Sequence, residues 1–438
     1  MSTYSLSSSS PSVPPEIWLQ IFHTATFIPG EWNAATASHP GIFSSVDDLQ
    51  NQALKAVLPL RRAIVQVSRL WWQIGTEVLY ASFHEMPTYC HLQTQSIDHF
   101  KRSLLSRPAL GCLIKRLVLR WPRKGSPSEI DHTLQLCPNT RILSFYSADP
   151  ARHVLWEPRI LFNHIHIFDA DVLYLSQKCI VHMLSSLPSL EMLHLCGLGQ
   201  GDEESRYHGT LRLPLVHFLS LRFVGAQVIE YWTPLLSTAD IPHLTSLSTN
   251  HERVSLPLSI DVWQRITFFA FPLGSYSVFE PGIFRSLTCL QLDLLTRTPI
   301  HQLSDLPFHQ LSRLTMIYRS IQYGCVSQWK QTLEVFLTLE MPRLRVVELH
   351  WGDDGIHSSL YLASGQDEYL EAFFDYLESS AHKFEQVGVQ FQEVYTRNIY
   401  RVPTPIKDVI KSAREKMAIR LALPFSAEVG CLPWLSLE

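Results

Sequence analysis

The sequence predicts an α/β chain: a short helical unit at the start, then a curved solenoid (a horseshoe) in which strands and helices alternate. Three observations carry this. A proline-started amphipathic stretch opens the chain, an apolar strand motif recurs at a near-constant period, and helically spaced stretches that mostly end in proline lie between the motifs. Composition agrees with an ordered protein: 46% of the 438 residues are hydrophobic and 17% charged, enough apolar surface for a core.

The opening element is "VPPEIWLQIFHTATFIPG", Val13 to Gly30. Pro14 and Pro15 suit a first helical turn, whose N–H groups lack partners anyway, and Glu16 complements the positive end of the helix dipole. Ile17, Trp18, Ile21, Phe22 and Ala25 fall on one stripe, and Pro29-Gly30 stops the helix. Before it, residues 1–12 hold seven serines and read as a disordered tail. After it comes a loop rich in Ala, Ser, Thr and Pro, then "LPLRRAIVQVSRLWWQIGTEVLYASF" from Leu58 to Phe83. There Leu60, Ile64, Val67, Trp71 and Ile74 recur at helical steps. Neither piece is long enough to be stable alone, so residues 13–85 are read as one small helical domain with an insertion at about 31–45.

From about Leu110 the pattern apolar, two residues, apolar, one residue, apolar repeats, as in "IKRLVL", "TRILSF", "LEMLHL", "VHFLSL" and "LRVVEL". Its middle apolar residue gives the anchors Leu117, Leu143, Ile165, Leu193, Leu219, Leu247, Ile266, Leu290, Ile317, Val347 and, more weakly, Val387. Leu117 to Val347 is nine steps in 230 residues, about 26 per step. Between them, "EIDHTLQLCP", "SQKCIVHMLSSLP", "VIEYWTPLLSTADIP", "SQWKQTLEVFLTLEMP" and "YLEAFFDYLESSAH" have helical spacing. Helix, proline and strand at a fixed period make stacked repeats. The array is placed at 105–400. Residues 401–438 are a C-terminal capping helix and tail, the helix read in "DVIKSAREKMAIRLALP" from Asp408. A doubly wound α/β sheet is the competing architecture, but no glycine-rich phosphate loop follows the first strand.

Two resemblances follow from these residues. The period and the strand-plus-helix unit resemble divergent leucine-rich repeats. "VPPEIWLQIF" followed by "VSRLWWQIGTEVLY" resembles the F-box of fungal F-box proteins. Pro14, Glu16, Ile17, Ile21, Phe22, Val67, Ser68, Arg69, Trp71 or Trp72, Leu79 and Tyr80 match its pattern; Val13 stands where a leucine is usual, and an insertion of about 25 residues separates the halves. The resemblance implies that the helices dock on a small Skp-type adaptor and through it on a cullin–RING ubiquitin ligase. Pro14, Pro15, Ile17, Trp18, Ile21, Phe22 and Trp71 are the residues expected at that contact. It also implies that the chain is no enzyme: the repeats capture a target protein, and ubiquitin transfer follows from proximity. The alternative is a repeat-based binding scaffold that acts without a ligase.

Target capture is expected on the inner face of the sheet, beside the anchors. Arg120, Tyr146, His166, His194, Arg222, Arg265, Tyr318 and Glu348 are the candidates, with Arg120, Arg222 and Arg265 at one end of the footprint.

Other chemistries find little support. G-x-S-x-G, P-loop and H-E-x-x-H patterns are absent. "HIHIFDAD" from His164 has ligand-type residues at close spacing, but an exposed strand face followed by a loop is the preferred reading, and neither metal nor cofactor is expected. The eight cysteines are never closer than 17 residues, as for buried thiols in a reducing compartment. The net charge of −4 and the lack of a basic tract argue against nucleic acid as partner. The first lysine or arginine is Lys55 and no long apolar charge-free run occurs, so neither leader nor membrane span is expected, and the chain is placed in the cytoplasm or nucleus.

Overall fold

The structure is a computed structural model. It describes residues 13–26, 57, 59–84, 95–120, 128–146, 158, 160–172, 175–199, 206–224, 228–250, 256–273, 285–294, 308–318, 326–351, 372–373, 375–376, 379, 386–391 and 421–422. The serine-rich tail, the insertion at 31–45 and most of the segment after 391 lie outside these residues.

Helix α1, Pro15–Ala25, starts on Pro14, whose carbonyl accepts the amides of Ile17 and Trp18. Residues 59–67 are helical, and α2 follows at Arg69–Tyr80, with Ser68 as N-cap: its hydroxyl accepts the Trp71 amide at 3.1 Å. One residue after α2 the chain enters β1, Ser82–His84. The segment 13–85 therefore ends in a strand that belongs to the sheet. Helix α3, Gln95–Ser106, and a 3-10 helix, Pro108–Leu113, lead to β2, Arg116–Arg120.

From there the elements are α4 Ser128–Leu136, β3 Ile142–Tyr146, β4 Ile167–Asp171, α5 Gln177–Ser185, β5 Met192–Leu198, β6 Phe218–Phe223, α6 Val228–Ser237, β7 Ser246–Thr249, α7 Ile260–Trp263, β8 Phe268–Leu273, β9 Cys289–Leu294, β10 Arg313–Tyr318, α8 Val326–Thr338, β11 Val346–Trp351, β12 Gln386–Phe391 and β13 Leu421–Ala422. Among the described residues these strands form one open parallel sheet in strict sequence order, β1 to β13. The chain is thus α/β, each strand pairing only with its sequence neighbours, an arrangement compatible with a solenoid. Leu421 and Ala422, inside the expected capping helix, are strand residues paired with β12.

The register exposes the repeat. Leu117, Leu143, Phe168, Leu193, Leu219, Leu247, Phe269, Leu290, Leu314, Val347 and Val387 lie in one row across the sheet. Eight of the eleven expected anchors stand in it. Ile165 and Ile266 sit three residues before their row members Phe168 and Phe269, and Ile317 three after Leu314. All described repeats from β2 to β11 bury the residue three before the row as well, from Ile114 to Leu344. Most also bury the one six before, such as Phe162, Leu187, Leu213, Ile241, Trp263, Phe308 and Met341. These residues and the inward helix faces form one continuous apolar core.

A β-turn delivers each chain to its strand. The amide three before the row donates to the carbonyl six before it, as in Thr140 to Cys137, Leu190 to Leu187 and Leu344 to Met341. Proline, with φ preset, fills the second turn position at 138, 188, 214, 242 and 342, which is why proline punctuates the sequence between helix and strand. The turns stack: the carbonyl two before the row accepts two amides from the next repeat, in an unbroken series of acceptors through Lys115, Arg141, His166, Glu191, His217, Thr245, Thr267, Thr288 and Ser312. In the later repeats hydroxyls extend the ladder, Thr267 donating to the Thr245 carbonyl at 3.3 Å and Ser312 to that of Thr288 at 3.1 Å. In β5 the register shifts by one residue at Cys196–Gly197, where Gly197 takes φ 78, open to a residue without Cβ.

Candidate interaction surfaces

Two surfaces were expected, one on the N-terminal helices and one on the sheet face opposite the main core.

The helices bury a small core of their own. Phe22, Ile64 and Val78 are its centre, with Trp18, Leu19, Trp71 and Ile74 packed around them. The rings of Trp18 and Trp71 lie 4.8 Å apart, those of Phe22 and Trp71 4.9 Å. Trp18, Phe22 and Trp71, all expected at the adaptor contact, therefore face inward. Phe22 is 2% exposed and belongs to the fold. The physical reason is helical phase: α1 carries two neighbouring apolar stripes about 100° apart. One, Trp18 and Phe22, closes the core. The other, Ile17 and Ile21, each 45% exposed, continues the line of Val13 into solvent, and Pro14 and Pro15 are exposed with it.

These helices are built onto the sheet. Arg61 is fully buried; one terminal nitrogen of its guanidinium donates to the Thr26 carbonyl at the end of α1 (3.0 Å) and the other to the Ser82 hydroxyl at the start of β1 (3.3 Å). The Ala81 carbonyl accepts the Lys115 and Arg116 amides, and the Lys115 ammonium lies 3.5 Å from Glu77 of α2.

On the sheet, the row one residue before the central one forms a second apolar cluster, with Ile142, Ile167, Met192, Phe218 and Phe268. The row one residue after it is polar yet largely buried, including Ser144, His194, Ser220, Gln291 and Thr315. His194 Nδ1 and Asp169 Oδ1 meet at 2.6 Å across β4 and β5. Burial alone would push the Asp169 carboxyl up. The His194 charge, that hydrogen bond, and the Arg116 and Arg222 guanidiniums outweigh it and hold the carboxyl below its ordinary value.

The eight expected target-binding residues do not share one row. His194 lies in the polar row; Glu348 takes the same register position on β11. Arg120 and Tyr146 are aligned three residues after the central row, and Arg222 stands three after Leu219 on β6. Three departures follow from the anchors that slipped. His166 precedes β4 and its Nδ1 meets Glu191 Oε1 at 2.9 Å. Arg265 lies in the turn before β8, exposed, donating to the Ile241 carbonyl at 3.5 Å. Tyr318 aligns with Leu294 and Trp351, an even number of residues from Leu314, so its position has the parity of the core row. Of the "HIHIFDAD" residues, His166 and Asp169 are engaged in these cross-strand pairs, and burial, aided by the neighbouring His166, pulls the His164 imidazole down from its ordinary value. Among the described residues no three ligand-type side chains converge on a metal position.

No protein-family model matches this chain, and no curated protein is similar to it. Among the described residues, no helix is long and apolar enough to cross a membrane.

The Asp169–His194 pair has a measurable consequence. A carboxyl held below its unfolded value stabilises the fold above that unfolded value, about 3.9, and the contribution disappears as pH falls through the lower folded one. Asp169→Asn is expected to cost about 2–3 kcal/mol at pH 7, because it leaves a nearly buried imidazole with a weakened partner. Urea midpoints should then decline less steeply below pH 4 in the variant than in the parent; parallel pH profiles would contradict the assignment.

Proposed function

We propose that this chain is a substrate-recognition subunit of an SCF-type cullin–RING ubiquitin ligase. In this reading residues 13–85 act as an F-box, the parallel sheet and its helices are a divergent leucine-rich-repeat solenoid, and the sheet side captures the target. The observation that supports it best is the second apolar stripe of α1. Ile17 and Ile21 are half in water although the helical unit has already closed its own core on Trp18, Phe22 and Trp71. Apolar side chains displayed at i and i+4 beside a finished core suit a helix-on-helix contact with a partner, as the F-box resemblance implies. The direct attachment of α2 to β1 suits the second requirement. Proximity transfer works when the captured target is held in a narrow range of positions relative to the ligase, and a rigid receptor does that better than a tethered one. The chain then contributes binding and geometry, and the ligase partners contribute the chemistry.

Co-expression with a Skp-type adaptor tests this. A stable 1:1 complex by light scattering, which recruits the N-terminal part of a cullin, is expected. Failure of the folded full-length chain to bind the adaptor, with an F-box protein as positive control, would leave the ligase-independent binding scaffold as the better account.

A further inference from the structure

The stacked turns ahead of the strands have an unusual charge composition. From β2 to β11 each is a stretch of four residues, five to two before the central row, and all ten lie within the described residues. They contain six lysines or arginines (Lys115, Arg141, Arg265, Arg285, Arg343 and Arg345), five histidines and one carboxylate, Glu191. The whole chain has 36 basic and 40 acidic residues, so these turns reverse the balance of the chain. Lys115 is half-exposed and the five arginines exposed. The carbonyl ladder fixes their arrangement: each turn is hydrogen-bonded to the next, so side chains at equivalent positions follow one another at about 4.8 Å. The result is a line of basic side chains where the chain enters the strands, Lys115 and Arg141 at one end and Arg265, Arg285, Arg343 and Arg345 in the turns of β8 to β11 at the other, about 40 Å from first to last, with histidines and Glu191 in the turns of β4 to β7 between them.

Part of this charge meets partners among the described residues. Glu191 is taken by His166, and Lys115 has Glu77 at 3.5 Å. Arg265 donates to a main-chain carbonyl and Arg343 to the Gln310 side chain, neutral acceptors that hold the guanidiniums without cancelling them. Like charges gathered in neighbouring turns, such as Lys115 with Arg141 and Arg265 with Arg285, repel, and external carboxylates would relieve that.

The geometry points to an acidic, extended polypeptide segment of about twelve residues as the occupant, at about 3.3 Å per residue over that line. Carboxylates match the paired N–H groups of arginine, and the ladder already uses the backbone donors, so recognition falls to side chains. Single-stranded nucleic acid fits less well: no Phe, Tyr or Trp occupies any of the ten turns, so bases find no stacking platform. A membrane surface fits less well too, because the turns expose a single large apolar residue, Leu215. This deepens the target-capture half of the function proposed above and rests on it for the biological role. It moves recognition from the inner face to the edge of the sheet.

Direct binding to the full-length chain tests it, without adaptor or ligase, so its outcome is separate from the fate of the F-box reading. A fluorescein-labelled dodecapeptide of alternating Glu and Gly should bind, and a Gln/Gly counterpart should bind at least tenfold more weakly. Raising salt from 50 to 200 mM should weaken the acidic peptide about tenfold or more. The variant Arg141→Glu, Arg265→Glu, Arg285→Glu, Arg343→Glu should lose at least tenfold in affinity with an unchanged circular dichroism spectrum. The corresponding four-glutamine variant serves if charge reversal disturbs folding. Equal binding by the folded variant, equal binding of the neutral peptide, or binding of a twelve-nucleotide single strand or phosphatidylserine vesicles in place of the acidic peptide would overturn the proposal.

Discussion

Arg61→Met is expected to detach the N-terminal helices from the sheet while leaving the middle of the sheet intact. The guanidinium is 1% exposed and joins the end of α1 to the start of β1 through the Thr26 carbonyl and the Ser82 hydroxyl. Methionine fills much of the volume but donates no hydrogen bond. Thr26, itself fully buried, keeps a carbonyl stripped of this donor, and a buried group that loses its partner costs about 1–3 kcal/mol. With the charged donor gone from both contacts, about 3 kcal/mol is expected in total. Hydrogen exchange reads this locally. The Lys115 and Arg116 amides, bonded to the Ala81 carbonyl, should exchange on the order of a hundredfold faster, whereas strand amides of β5 and β6 should not change. Arg61→Lys should recover only part of the protection, since one ammonium cannot reach both acceptors with the fork of a guanidinium. Unchanged exchange at Lys115 and Arg116 in the methionine variant would show that the attachment rests on β1 pairing alone.

The alternation of strand and helix was legible in the sequence because burial is strict: the repeat hides the residues at the central row, three before it and, in most turns, six before it. That same regularity explains the slipped anchors. A pattern of apolar residues every three positions maps onto itself when moved by three. Phe162, Ile165 and Phe168 satisfy it, as do Trp263, Ile266 and Phe269. Only the hydrogen-bonded register decides which of them is central. A slip of three is odd, so it exchanges the faces of the strand, and it displaced His166, Arg265 and Tyr318 from the expected surface. Helices that end at Leu-Pro-like turns were legible; α7, four residues long, was too short to show a period. β1 was hidden for a different reason. Its three residues follow α2 after a single residue, and nothing in Ser82–His84 marks the change of period before its partner β2 is known. The basic residues of these turns were present in the sequence two to five before each central-row residue, but they come onto one side of the sheet only when the ladder stacks the turns.

Ile17→Asp with Ile21→Asp should abolish adaptor binding in a chain that folds like its parent. Both side chains are 45% exposed in the free chain, so a carboxylate at either position remains hydrated and costs the fold little. Once the stripe is covered by an apolar partner surface the balance changes: two carboxylates leave water without a cation to meet them, which costs several kcal/mol, on the order of a thousandfold in affinity. Phe22→Asp is the necessary contrast. Phe22 lies in the core of the helical unit against Trp18 and Trp71, so a carboxylate there unfolds the unit and removes adaptor binding for a trivial reason. The two variants are separated by measuring stability and binding together. The double isoleucine variant should keep its thermal midpoint and far-ultraviolet dichroism while losing the adaptor in pull-down and calorimetry; the phenylalanine variant should lose both. If the folded double variant still captured the adaptor at parental affinity, the stripe of α1 would not be the docking surface. The contact would then have to be sought at the exposed Leu70 and Trp72 of α2, which the present assignment leaves outside it.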